Sequence, residues 1–128
     1  MIHVAKTIIE DNAKFLLIKR AKDSKFFPGQ WDFPGGKIKA DEKPSESAAR
    51  ETKEETALDI IIGDMIIEGS HTEKETEIHY QVFLTKECAG EIKLSQDHSE
   101  FKWVSKEQIK GLETTPFVKA FLAFSKAK

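Results

Sequence analysis

Between residues 36 and 58 the chain reads GKIKADEKPSESAARETKEETAL, and this run constrains the fold more than any other segment. Gly36 ends the tight Phe33-Pro34-Gly35 approach, and Pro44 then stands where a helix can begin, because its missing N–H has no partner in a first turn anyway. Glu46 in that turn favours the positive end of the helix dipole, while Ser45 is an alternative N-cap. The helix is expected from residue 44 to about residue 57, with Ala48, Ala49 and Thr52 as a small inner stripe that lets it approach its support closely. Residues three and four apart on a helix are neighbours, so Glu51 lies beside Glu54 and Glu55 on one face. On a solvated face the repulsion of each carboxylate pair costs only about 0.2–0.5 kcal/mol, and Arg50–Glu54 as an i,i+4 pair is then a sufficient account. In a semi-enclosed cleft with an effective dielectric near ~20, each pair at ~6 Å costs about 3 kcal/mol, and a bound cation answers it. Donors that are all oxygen suit a hard cation such as Mg2+ or Mn2+. The four histidines, His3, His71, His79 and His98, are scattered, and no Cys/His cluster points to zinc.

The 128 residues suffice for one domain with a real core. A net charge of −2 speaks against general nucleic-acid binding, which normally carries a basic excess. Of the 20 basic residues, all are lysine except Arg20 and Arg50. Either this is a compositional bias, or bidentate carboxylate or phosphate geometry is needed at those two places. The lone cysteine, Cys88, excludes an internal disulfide framework and fits a reducing compartment. The N-terminal MIHVAKTIIEDNAK lacks the pattern of a signal peptide, and no apolar run approaches the ~20 residues that cross a bilayer. A cytoplasmic location without membrane contact is the expectation.

Along the chain, residues 2–9 and 14–20 read as strands either side of the Asp11-Asn12 turn signal, a hairpin buried on both faces. Residues 21–30 form a loop whose Phe26-Phe27 pair is expected to plug the core. Further strands are expected at 60–67 and 77–84, separated by the polar stretch 70–76, and at 99–104. A turn of helix at 106–110 follows, and an amphipathic helix at 116–124 turns Phe117, Val118, Phe121 and Leu122 inward. This pattern indicates a mixed α/β domain without specifying its topology.

Gly36, Glu42, Arg50, Glu51, Glu54 and Glu55 stand at the spacings of G-x5-E-x7-R-E-U-x-E-E-x-G-U, where U is a bulky aliphatic residue. The chain thereby resembles the Nudix hydrolases. Thr52 replaces one aliphatic position and Ala57 the second glycine; neither position supplies chemistry. The likeness extends to Trp31-Asp32-Phe33-Pro34 ahead of the box and to Asp97-His98-Ser99-Glu100 running into Trp103-Val104. It implies one Nudix domain over residues 1–128, with its box at 36–58, folded as an α/β/α sandwich with a mixed β-sheet between helices.

The resemblance also implies a division of labour. Glu51, Glu54 and Glu55, helped by the Gly36 carbonyl, would bind Mg2+ or Mn2+, while Glu42 and Arg50 form an orienting ion pair beside the catalytic carboxylates. Glu51 aligns with the base of MutT-type relatives, Asp97 with an added downstream metal ligand that Glu100 rivals, and Arg20 with a phosphate contact. Trp31, Phe33 and Phe83 are available to stack on a base, with core filling the commoner role of such aromatics; Phe33 is the substrate-binding candidate. The implied reaction is Mg2+-dependent hydrolysis of a diphosphate bridge, with a nucleoside triphosphate as the leading substrate. ADP-ribose or another nucleotide sugar, and a sensing domain that binds nucleotide without cleaving it, are the alternatives. The implied partner is a small-molecule nucleotide. A homodimer is open, since such proteins are often dimers, although no stretch identifies an interface.

Overall fold

The computed structural model describes residues 1–126. In chain order its elements are β1 (Ile2–Ile8), β2 (Glu10–Asp11), β3 (Lys14–Arg20), β4 (Trp31–Asp32), β5 (Gly35–Lys37), α1 (Pro44–Thr56), β6 (Asp59–Glu73), β7 (Thr76–Ala89), β8 (His98–Val104), α2 (Lys106–Ile109) and α3 (Pro116–Lys126). The strands form two four-stranded sheets. One, ordered β5-β1-β7-β6, is mixed, with β1 parallel to β7 and the other pairs antiparallel. In the other, β3 carries β2, β4 and β8, all antiparallel to it. The expected mixed sheet is thus accompanied by a second, antiparallel sheet.

The expected hairpin of residues 2–9 with 14–20 does not form. Both edges of β1 are taken by β5 and β7, and β3 instead pairs with the two-residue β2 and with β8. A single bond from Leu16 N–H to the Ile9 carbonyl, 3.0 Å, marks where the chain passes between the sheets. The turn itself lies one residue later than the Asp11-Asn12 signal, with Asn12 and Ala13 both at positive φ. The strands expected at 60–67 and 77–84 run on through the polar stretch to a turn at Lys74 and Glu75, again both at positive φ. Pairing depends on the backbone, so polar side chains on an exposed ribbon do not interrupt it.

Pro44 is the first residue of α1, with Lys43, not Ser45, as its N-cap; the Glu46 carboxylate accepts from the Lys43 N–H at 2.8 Å. The helix ends on Ala57 in the left-handed conformation, φ 67°, where the family glycine would stand without strain. Its buried residues are Ser47, Ala48, Thr52 and Thr56, one step round from the expected stripe, with Ala49 only half-buried. Ala48 packs with Ala5 of β1 and Phe83 of β7. The main core gathers Ile8, Phe15, Leu17, Trp31, Phe33, Val82 and Val104 with Val118 and Phe121 of α3. In α3, Phe117 is buried as well and Leu122 packs on the core half-buried, as its amphipathic pattern predicts.

The joint between β1 and β5 prepares the site. A Cβ on Gly35, whose φ is +136°, would fall 2.7 Å from the Lys6 Cα, so only glycine lets β5 lie there.

Candidate active site

A cleft of about 380 Å³ opens between the β1–β5 joint, α1, the loop that holds Phe26 and Phe27, and the start of β8. Gly36, Glu51, Glu55 and Asp97 line it together with Lys6, Arg20, Lys25 and His98, and Phe26, Phe27 and Phe117 contribute aromatic walls.

Among the acids of the cleft, Glu55 is tied to the loop: its Oε1 accepts the Gly35 N–H at 2.9 Å. Burial pushes its carboxyl up to about 8, although the Lys6 charge and the Gly35 hydrogen bond pull the other way. Glu51 faces Gly36 so closely that a Cβ there would lie 2.6 Å from the Glu51 Cδ. Arg50 is the hub of the box. Its Nε and Nη2 grip the two oxygens of Glu42 at 2.6 and 3.0 Å, and Nη2 also reaches the Lys37 carbonyl at 3.2 Å. Its Nη1 donates to Glu51 at 2.9 Å and to Glu54 at 3.0 Å. The fork holds the Glu42 carboxyl down at about 2, and the surrounding carboxylates raise the guanidinium well above its ordinary range.

The box residues therefore do meet at one place, as their spacing predicts, but they are not equivalent. Glu51 and Glu55 face the cleft, whereas the Glu54 side chain is 54% exposed and turned to Arg50. Among the described residues no three His, Cys, Asp or Glu side chains converge as a finished metal cage. The donor set nevertheless fits a hard divalent cation: the side-chain oxygens of Glu51, Glu55 and Asp97 line the cleft beside a bare glycine. Of the two downstream acids, Asp97 lines the cleft, while Glu100 lies outside it, exposed and 3.5 Å from Lys19.

The stacking expectation is corrected. Phe33 has no exposed surface and packs edge-on to Phe121 at 5.6 Å, so no face remains for a ligand. Trp31 and Phe83 are likewise enclosed in core clusters. Phe26 and Phe27 are buried in a core cluster with Val4, Ile78 and Phe117, as expected, and these rings also form cleft wall; the Phe117 ring stands at 89° to that of Phe27. Arg20 does reach the cleft, where its Nε donates to the Phe26 carbonyl at 2.8 Å and its Nη1 lies 3.5 Å from Asp32.

Three residues escaped the sequence reading. Lys6 is buried in β1 and pairs with the fully buried Asp32, Nζ to Oδ2 2.8 Å, while also donating to the Gly35 carbonyl at 3.1 Å. Asp32 takes a further bond from Thr115 Oγ1 at 2.9 Å. His98 is 8% exposed, and burial together with the Lys6 charge lowers its imidazole to about 4. The available signal was a lysine in the buried half of a mostly apolar strand, since lysine is almost never buried without a partner.

A family model, the NUDIX domain, matches residues 1–123. The chain belongs to the NUDIX family. As a NUDIX protein it is a hydrolase acting on phosphoanhydride bonds. The crystal structure of a MutT protein from Methanosarcina mazei Go1 shares its fold with a TM-score of 0.86 and 35% identity, over 98% of this chain and 91% of that one. The solution structure of the Escherichia coli ORF135 protein has a TM-score of 0.83 at 26% identity, covering 100% of this chain and 93% of that one. The nucleoside triphosphatase NudI of Escherichia coli O17:K52:H18 is 27% identical over 113 residues, 80% of each protein. No helix of the described residues in this NUDIX protein is long and apolar enough to cross a membrane.

Proposed function

We propose that this NUDIX hydrolase is a divalent-metal-dependent pyrophosphohydrolase of nucleoside triphosphates, with residues 1–128 acting as one domain. The observation that carries the reading is a single cleft lined by carboxylates, cations and aromatic rings together. Such a lining suits a polyphosphate chain held by metal and cations and a base held against rings. Likeness to a nucleoside triphosphatase, NudI, favours a triphosphate over a nucleotide sugar.

Glu51, Glu55 and Asp97 would hold Mg2+ or Mn2+, joined by Glu54 once its carboxylate leaves Arg50. When bound, the metal neutralises phosphate oxygens and acidifies the attacking water. Glu51 takes the water's proton, a role that its place against Gly36 allows. The Gly35 N–H fixes the direction of the Glu55 carboxylate, and Arg50 holds Glu51 and the loop at Glu42 in one frame. Arg20 and Lys25 bring positive charge to the phosphate oxygens within the cleft. Water attack on one phosphorus breaks one P–O–P bridge, and the leaving phosphate carries away the bonding electron pair.

The test is a hydrolysis screen of nucleoside triphosphates, nucleotide sugars and dinucleoside polyphosphates with and without Mg2+, with products resolved by chromatography. Pyrophosphate and a nucleoside monophosphate from a triphosphate, only with metal present, are the expected products. Nucleotide binding without product would make the protein a sensor, and faster cleavage of ADP-ribose would move the substrate to the nucleotide sugars.

A further inference from the structure

Gly35 is held by side chains through both polar groups of its backbone. Its N–H donates to Glu55 Oε1 at 2.9 Å, and its carbonyl accepts from Lys6 Nζ at 3.1 Å. It opens β5, a three-residue strand at the edge of its sheet with β1 as a partner on one side only. So short an edge strand makes few ladder bonds, and the two side-chain bonds carry a large share of its placement. Gly36, against which Glu51 packs, follows directly.

Lys6 is itself fixed by a buried chain of bonds. Its Nζ donates to Asp32 Oδ2 at 2.8 Å, and Asp32 Oδ1 accepts from Thr115 Oγ1 at 2.9 Å. Asp32 and Thr115 have no exposed surface, and Lys6 keeps 3% of its own. The Thr115 N–H is tied in turn to the Trp31 carbonyl at 3.0 Å. Residues from β1, β4 and the position before α3 thus join in one chain that ends on the Gly35 carbonyl. Fold stability alone gives no reason for it, because a buried ion pair is commonly no more stabilising than well-packed apolar residues of similar volume. An ammonium can donate to a carbonyl, and an apolar side chain cannot.

We propose that Lys6 is a positioning residue: backed by Asp32 and Thr115, it fixes the Gly35 peptide and, through the Gly35 N–H, the Glu55 carboxylate that receives the divalent cation. This inference deepens the metal-dependent reading above and rests on it. Lys6 acts through Gly35 and needs no contact with the nucleotide.

Two measurements that need no turnover test it: hydrogen exchange of the Gly35 amide in metal-free protein by nuclear magnetic resonance, and Mn2+ binding to the protein alone by electron paramagnetic resonance. The variant Lys6→Met/Asp32→Asn removes one charge of each sign, so net charge is unchanged and neither charge is left buried alone. A change in Mn2+ affinity then reads geometry, and circular dichroism with a melting curve checks the fold. The Gly35 amide is expected to exchange about tenfold faster, the size of losing a hydrogen bond to a charged group, while amides of the β3–β8 pair keep their rates. The Mn2+ Kd is expected to rise about tenfold or more, as when support behind metal ligands is lost, at a melting temperature close to that of the wild type. Thr115→Val, which keeps the ion pair, is expected to speed the same amide about threefold.

A lowered melting temperature with unaltered Gly35 exchange and Mn2+ affinity would mark a merely structural pair and overturn the proposal. A faster Gly35 amide at ordinary Mn2+ affinity would overturn it too. Should the double variant not fold, an unaltered Gly35 amide in Thr115→Val would do the same. Wild-type protein that binds no Mn2+ would sink the metal-dependent reading, whereas faster Gly35 exchange in the double variant would still keep Lys6 as the anchor of that peptide.

Discussion

Gly36 and Glu51 are in contact so close that the glycine's missing side chain is itself part of the site. A methyl group on Gly36 would lie 2.6 Å from the Glu51 Cδ, well inside contact distance, and would drive the carboxylate out of the cleft. Gly36→Ala is therefore expected to lower kcat by about 100-fold or more while the protein still folds, because a misplacement of ~1 Å can cost that much. Steady-state kinetics beside a melting curve would decide it; ordinary kcat in the Gly36→Ala variant would remove Glu51 from the chemistry.

Arg50 bridges Glu42, Glu51 and Glu54 through a planar fork that a lysine cannot reproduce. Arg50→Lys keeps the charge and is still expected to reduce kcat by about 10- to 100-fold, the usual size of losing support behind metal ligands. The Mg2+ concentration for half-maximal activity should rise as well. Kinetics titrated with Mg2+ check both, and a loss of kcat with unaltered Mg2+ dependence would place Arg50 on substrate instead.

Two carboxyls of the site push the pH dependence of stability in opposite directions. Glu42 is held at about 2 when folded against an ordinary 4.5, so its contribution is present above 4.5 and is lost as pH falls toward 2. Glu55 is raised to about 8, so between 4.5 and 8 the folded protein keeps a proton that the unfolded chain releases, and stability declines as pH rises through that window. In metal-free buffer the urea midpoint should fall from pH 5 to pH 8 in the wild type by more than in Glu55→Gln, which cannot ionise there. Parallel curves for the two proteins would show that Glu55 titrates normally.

Ala57 ends α1 at φ 67° while its N–H bonds to the Lys53 carbonyl at 2.9 Å. An L-residue pays about 1–2 kcal/mol for this conformation, and glycine does not. After the greater chain entropy of glycine in the unfolded state, Ala57→Gly should stabilise the protein by about 0.5–1 kcal/mol. Chemical denaturation measures this directly, and a destabilised variant would mean that the Ala57 methyl contributes packing that outweighs the strain.

The acidic box was legible because it is local. Helical periodicity alone places Glu51 beside Glu54 and Glu55, and a glycine and a proline at set distances mark where loop and helix join. The choice of Phe33 as a stacking face failed for the converse reason. Whether Phe33 or Phe26 meets solvent depends on α3, whose Phe121 covers the first and whose Phe117 stands with the second at the cleft. That helix comes from the far end of the chain. The strand partners were misassigned on similar grounds: residues 2–9 and 14–20 look like a hairpin to their neighbours in sequence, yet β1 finds its hydrogen bonds with β5 and β7.

Sequence by itself determined the family, through spacings of a few positions along one helix and its entry loop, and the α/β class, through strand and helix patterns along the chain. Tertiary structure alone decided that Glu55 faces the cleft while Glu54 turns to Arg50, that Asp97 and not Glu100 joins them, and that Lys6 and His98 line the same space. Those outcomes depend on burial and on contacts between segments tens of residues apart, and no local pattern carries either.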